Sequence, residues 1–327
     1  MRIAFCGKGG SGKTTVCSLF ARYMARQNFP VLVMDGDINQ HLGHALGFAA
    51  EDLARQTRMG AVPDVLHRFV RGTNERIASP DLICENTPPG KGSGLFCFDD
   101  DNDVSAAYEL RGDGMRFIAL GGHSDEQVGA TCYHSFTHKM GAYLNHLIDG
   151  EGEYFIGDMC AGADPFASAL ASKFDAIFLV VEPTEKSVGV FDQCREYGAP
   201  YGIEIFVIGN KIEDQDDLDF IRAKVGDALI GHLTRSDFVR AQEKGRRQDI
   251  MVLEPENLAL MEKIRNLTDR LEKDWARYQA NNLHFFERAA KSWGDVLYET
   301  DMMAQIDPDF SYADAAHLRD ESRKKAA

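Results

Sequence analysis

Gly7-Lys-Gly-Gly-Ser-Gly-Lys-Thr14 is the stretch whose reading decides the fold. It fits G-x-x-x-x-G-K-[ST], a loop that wraps phosphate oxygens. The flanks agree with it. Arg2-Ile-Ala-Phe-Cys6 is a short apolar run that reads as a buried strand. After the loop, Val16, Leu19, Phe20, Tyr23 and Met24 recur at the i, i+3, i+4, i+7, i+8 spacing of a helix packed on a sheet. Gly7, Gly9, Gly10 and Gly12, with Ser11 among them, let backbone N–H groups turn inward around an anion. The helix that follows adds the positive end of its dipole. Lys13 is expected to reach the β- and γ-phosphates, Thr14 to place its hydroxyl on Mg²⁺, and Thr15 to touch the α-phosphate.

Outward from the loop, strand-like and helix-like segments alternate. Residues 2–6, 31–35, 116–120, 154–158, 176–181, 203–209 and 228–233 read as strands. This alternation predicts an α/β fold, a doubly wound, mostly parallel sheet with the nucleotide at the strands' C-terminal edge. Residues 60–114 break the rhythm with Pro63, Pro80, Pro88, Pro89 and the run Asp99-Asp-Asp-Asn-Asp103. They read as an insertion of loops with one helix, the acid run being a solvated loop rather than a cation site. From Asn257 on, Leu260, Ile264, Leu267, Leu271, Trp275 and Tyr278 step by three and four, followed by Phe285, Phe286, Trp293 and Leu297. The expected division is a nucleotide-binding domain over 1–255 and a helical extension over 256–327. The extension should pack on the main domain or on a partner, with its last dozen polar residues frayed.

Composition narrows the partners. The chain has 327 residues and a formal net charge of −15. Nucleic-acid binding needs a basic face, and no long Lys/Arg cluster is visible, so no nucleic-acid partner is expected. No apolar stretch approaches a membrane span, and the polar tail from Ala315 is too poor in apolar residues for a membrane anchor. The N-terminus runs straight into a strand with no signal-peptide pattern, which predicts a cytoplasmic protein. Seven scattered cysteines without a CxxC pair predict free thiols, one or two of them available as ligands.

Lys8 adds a second lysine at the start of the loop. With it, Lys8-Gly-Gly-Ser-Gly-Lys-Thr-Thr15 resembles the MinD/ParA/nitrogenase-iron-protein class of ATPases, over about residues 1–255. In that class the early lysine reaches across a two-fold axis to the partner's ATP. The resemblance implies a homodimer that sandwiches ATP and the reaction ATP + water → ADP + phosphate. A cation supplied in trans would offset charge developing on the transferred phosphoryl group.

The same resemblance assigns two acidic switches. Met34-Asp-Gly-Asp-Ile-Asn39 would be the first, with Asp37 positioning the attacking water and Asp35 helping to organise the Mg²⁺ shell. Without it, Asp35 and Asp37 read equally as strand-end acids capping a helix. Tyr154-Phe-Ile-Gly-Asp-Met-Cys-Ala-Gly162 resembles the second, with Asp158 holding Mg²⁺ through water and Gly162 allowing the loop to approach the γ-phosphate. Ile205-Phe-Val-Ile-Gly-Asn-Lys211 is a strand ending in Asn210-Lys211, and an Asn amide can pair with adenine. Glu213 stands where a guanine-reading Asp would be, which favours ATP over GTP. Pro183, in Val181-Glu-Pro-Thr184, falls where relatives carry a turn near the base, though a plain loop turn explains it as well.

Gly129-Ala-Thr-Cys-Tyr-His134 sharpens the resemblance toward the nickel-insertion ATPases that mature carbon monoxide dehydrogenase, which carry C-x-C here on the dimer axis. This chain has Cys132-x-His134. Two copies would offer two thiolates and two imidazoles, a set suited to Zn²⁺ and acceptable for Ni²⁺. A buried structural cysteine is the plainer reading of Cys132. The expected function is therefore an accessory ATPase for a metalloenzyme or another, unknown protein client. A MinD/ParA-type positioning switch and an iron-protein-like reductase are the alternatives.

Overall fold

Short β-branched and aromatic runs, apolar on both faces, build a sheet that helices cover on each side. Its eight strands are β1 (Arg2–Gly7), β2 (Val31–Asp35), β3 (Glu109–Gly112), β4 (Met115–Ala119), β5 (Tyr154–Asp158), β6 (Ala176–Val181), β7 (Glu204–Gly209) and β8 (Leu229–His232). The computed structural model describes residues 1–60, 64–98, 100–122, 134–162 and 164–326. The spatial order is β3-β4-β2-β5-β1-β6-β7-β8, with every pairing parallel except β3 against β4. The expected doubly wound sheet is present. Alternate residues of β1 serve two cores: Ala4 and Cys6 pack in the same cluster as Met140, Phe155 and Phe174, and Ile3 and Phe5 in the same cluster as Val16, Phe20 and Phe178. Helix α1 (Lys13–Arg26) buries the predicted stripe Val16, Leu19, Phe20, Tyr23 and Met24.

Among its described residues, the stretch 60–114 holds more regular structure than its prolines suggest. It holds α2 (Val65–Arg71), α3 (Asp103–Tyr108) and the edge strand β3. The acidic run is a helix start: the Asn102 side chain accepts from the N–H groups of Val104 and Ser105 in a capping box, and Asp101 pairs with Arg111. Elements of four to seven residues are too short for periodicity to reveal. Beyond it, α4 (His134–His146) buries Phe136, Met140 and Leu144.

The C-terminal helices close the underside of the sheet. α5 (Pro255–Thr268) places Leu260, Met261 and Ile264 in the core of Ile3 and Phe5. α6 (Trp275–Ala289) covers the strand starts, where buried Arg2 has its Nε 2.7 Å from Asp149 and its guanidinium 4.4 Å from the Tyr278 ring centroid. Buried Lys173 donates to the side-chain oxygens of Asn86, Asn145 and Asn282 at 2.9, 2.7 and 3.3 Å, so its three N–H donors meet three acceptors. Burial pulls this lysine down to about 8.

The expectation of a frayed tail is overturned. α7 (Tyr312–Ala326) is docked by Arg319 and Arg323, which both pair with the buried Glu153 carboxylate. Charge-assisted pairs hold a helix whose sequence is too polar to show an apolar stripe. Trp293, Val296 and Leu297 are exposed, so the expectation that Trp293 and Leu297 pack is not met within this chain. Among the described residues no helix is long and apolar enough to cross a membrane. Cys6, Cys17, Cys84 and Cys194 are buried free thiols.

His146 is fully buried with Nδ1 2.9 Å from the Ala142 carbonyl. Burial lowers it to about 4. A folded value below the unfolded one gives stability that is complete above pH ~6.5 and lost as pH falls toward 4. The expected loss is on the order of 3 kcal/mol. Urea midpoints across that window should fall less steeply for His146→Gln than for the native chain. Parallel acid limbs would show that His146 does not control the transition.

Candidate functional site

The site begins where β1 ends. Gly12 takes φ +95, and a Cβ there would lie 2.1 Å from the Asn210 amide nitrogen. A Cβ on Gly7 would meet the Val180 carbonyl oxygen at 2.5 Å. The glycines are thus dictated by close backbone approach as well as by the turn. Ser11 N–H donates to the Lys8 carbonyl at 3.0 Å, and Gly162 N–H, from the end of β5, to the Gly7 carbonyl at 3.0 Å. The buried Ser11 hydroxyl has no hydrogen-bond partner among the described residues. Gly9 and Gly10 are exposed at the tip.

Strand register assembles the acids. β2 and β5 are paired so that Asp35 lies beside Asp158. Lys13 and Thr14, in the first turn of α1, face them. The Lys13 ammonium pairs with Asp37 Oδ2, and the Thr14 hydroxyl donates to Asp158 Oδ2 at 2.6 Å. Asp37 Oδ1 accepts twice from Asn39, from the backbone N–H at 3.0 Å and from the side-chain amide at 2.8 Å. Burial alone would raise Asp37, but Lys13 and Asn39 hold it below the usual carboxylate range. The other two acids lie deeper. Burial pushes Asp158 up to about 7 against the pull of Lys13 and Thr14. Burial and then neighbouring Asp158 push Asp35 up to about 8. Both Asp35 oxygens accept backbone N–H groups, from Asp37 and from Leu42 at the start of a short helix. Asp35 therefore holds the turn.

Asp158 Oδ1 is buried without a hydrogen-bond partner among the described residues. That orphaned oxygen beside a threonine hydroxyl is a hard-oxygen donor set, which fits Mg²⁺.

A cavity of about 950 Å³ adjoins the loop. Gly10, Gly12 and Thr15 line one side, Asn210 to Glu213 a second, and Leu233 to Ser236 a third. Its size suits a nucleotide base and ribose. Asn210 lines this cavity and is already engaged within the chain. Its amide nitrogen donates to the Ser11 carbonyl at 2.7 Å and its oxygen accepts the Lys211 N–H at 2.9 Å, so it braces the phosphate loop. Lys211 pairs with Glu182 at 2.5 Å. Pro183 precedes a short helix capped by Thr184 and does not line the cavity. The wall from Leu233 to Ser236 escaped the sequence reading, although its signal was available as the end of a predicted parallel strand. Asn39 and Gln40 escaped it too.

Lys8 is half-buried, and its ammonium has no hydrogen-bond or ion-pair partner among the described residues. Cys132 lies outside the described residues. His134 opens α4, and its side chain is likewise outside the description. Among the described residues no group of three or more His, Cys, Asp or Glu could hold a metal ion.

A parallel sheet with a glycine-rich loop, a lysine and threonine opening the next helix, and acids on adjacent strand ends defines a P-loop nucleotide-binding protein. Residues 3–248 match the CobQ/CobB/MinD/ParA nucleotide binding domain, and the chain belongs to that family. It is an ATP-binding P-loop ATPase. It is 28% identical over 221 residues to an uncharacterized ATP-binding protein of Methanocaldococcus jannaschii, covering 66% of this chain and 80% of that one. It is 24% identical over 248 residues to the carbon monoxide dehydrogenase accessory protein CooC of Rhodospirillum rubrum, covering 75% and 87%. The fold is similar to that of the septum site-determining protein MinD complexed with Mg-ADP from Pyrococcus horikoshii, with TM-score 0.53, 16% identity and coverage of 84% and 99%. It is also similar to the MinC:MinD cell division complex of Aquifex aeolicus, with TM-score 0.51, 18% identity and coverage of 84% and 97%.

Proposed function

We propose that this ATPase works as a nucleotide-switched homodimer that matures or loads a metalloenzyme client. The observation that carries the switch is the convergence of Lys13, Thr14, Asp37 and Asp158 on one point, with Lys8 at the loop's start and no partner for its ammonium among the described residues. The likeness to CooC supports the accessory role.

ATP lies with its phosphates in the loop from Gly7 to Thr14 and its base in the adjoining cavity. Lys13 moves from Asp37 to the β- and γ-phosphates. Thr14 and Asp158 would hold Mg²⁺, with Asp35 supporting the turn behind them. When bound, Mg²⁺ neutralises charge on the phosphate oxygens. Asp37, released from Lys13 and still oriented by Asn39, accepts a hydrogen bond from water. That water attacks the γ-phosphorus as the bond to the ADP oxygen breaks. Lys8 of the second subunit offsets charge on the transferred group. Gly162, bonded to Gly7, carries the change in the phosphate loop to the second switch.

Cys132 and His134 supply two ligands per chain and four per dimer, the number a closed Zn²⁺ site needs and one Ni²⁺ accepts. ATP should drive dimerisation in sizing chromatography, and the dimer should bind about one metal per two chains. By linkage, metal should tighten the ATP dimer. Titration with Zn²⁺ and Ni²⁺, with and without a slowly hydrolysed ATP analogue, measures both effects. Cys132→Ser should weaken both and spare nucleotide binding. Zero stoichiometry in both states, or titrations unchanged by Cys132→Ser, would make the cysteine structural and leave an ATPase without a metal role.

A further inference from the structure

The turn that carries Asp37 is tied at both ends and open at its tip. Ile38 is 43% exposed and Asn39 is exposed, so the tip points away from the core. On its upstream side Gly36 N–H donates to the Asp158 carbonyl at 2.8 Å. On its downstream side Asp35 Oδ2 accepts the Leu42 N–H at 3.1 Å, and Gln40 supplies a second tie that reaches the Asp37 carbonyl itself. Gln40 N–H donates to the Asp37 carbonyl at 3.2 Å, and its side-chain amide nitrogen donates to the same oxygen at 2.5 Å. Its side-chain oxygen accepts the Gly121 N–H at 3.1 Å, just beyond β4. One amide therefore closes the turn on itself and ties it to the sheet.

The backbone at this residue makes the side chain's role conspicuous. Gln40 sits at φ +52, the left-handed region where glycine is at ease and a residue with a Cβ is strained. Glycine would suit the turn better, so a side chain there is retained against local preference. Strain of this kind gathers at functional sites.

We infer that Gln40 is a positioning residue for ATP hydrolysis, fixing Asp37 through the Asp37 carbonyl and the Gly121 N–H. The inference rests on Asp37 being the acid that orients water. Gln40 would touch neither nucleotide nor water. Its removal should leave affinity alone and cost turnover, because a small misplacement of a reacting group is expensive in rate.

Gln40→Gly separates this role from a structural one. It removes both amide bonds and relieves the backbone strain, so the melting temperature should hold or rise. Nucleotide Kd should stay within about twofold, while kcat should fall by roughly 10- to 100-fold. Gln40→Glu keeps the acceptor for Gly121, loses the donor and sets a carboxylate against the Asp37 carbonyl, so its kcat should fall as well. Asp37→Ala with Gln40→Gly should be no slower than Asp37→Ala alone, since Gln40 acts through Asp37. The idea is overturned by wild-type kcat in Gln40→Gly, by a lowered melting temperature, by Kd weakening in step with kcat, or by multiplicative losses in the double variant. If Asp37→Ala alone turns over normally, the Asp37 reading has failed and this one falls with it. If only Gln40→Gly turns over normally, the Asp37 reading survives.

Discussion

Lys8→Ala should bind ATP about as tightly as the native chain, yet remain monomeric with ATP and hydrolyse it at least ~10³-fold more slowly. The size follows from the rate gain that a cation supplied to the transferred phosphoryl group provides, ~10³–10⁵. The reason is positional. Lys13, in the first turn of α1, already faces the switch acids. Lys8 stands at the other end of the loop, half-buried, and no described side chain engages its ammonium. A charge so placed is available to a second copy. Lys13→Ala, in contrast, should abolish nucleotide binding outright. Sizing chromatography and phosphate release, run side by side, separate the two lysines. Normal dimerisation and turnover in Lys8→Ala would end the trans-lysine reading.

Asp37→Ala should trap an ATP-bound dimer and lose ~10²–10⁴ in turnover, the usual cost of removing one catalytic acid–base group. In the proposed mechanism the phosphate contacts lie elsewhere, in the loop and on Lys13, so binding should persist. Of the three site acids, Asp37 is the one held ionised by a lysine and an asparagine, whereas Asp35 and Asp158 are pushed upward by burial. An ionised carboxylate is the better acceptor of a hydrogen bond from water. Single-turnover kinetics on the isolated dimer would measure the loss. A variant that hydrolyses at the native rate removes Asp37 from the mechanism.

Much of this was legible in the sequence because the strands are buried on both faces. Such strands read as apolar runs, and seven of the eight were predicted within a residue or two at most of their ends. β3 was not, because its four residues, Glu109 to Gly112, are mostly polar at a sheet edge. α7 was misjudged for a related reason. Its anchors Arg319 and Arg323 are charged, and only Glu153, far away in sequence, turns them into a dock. At the site, the loop and the switch acids were readable since their spacing is local. Gln40 was not. Its importance lies in a bond to Gly121 and a positive φ, neither of which any local pattern displays. Asn210 was named for its chemistry, but its partner Ser11 is set by tertiary approach.

In the proposed mechanism, the ion pair between Lys13 and Asp37 makes nucleotide exchange an exchange of counter-ions. An arriving phosphate displaces one anion from the ammonium, and a departing phosphate is replaced by the same anion. The lysine is never left bare in a partly buried place, where an unpaired charge is costly. Affinity is then the difference between two anions competing for one cation. Added salt screens both rivals, so nucleotide affinity should depend on ionic strength less steeply than it would for a lone lysine.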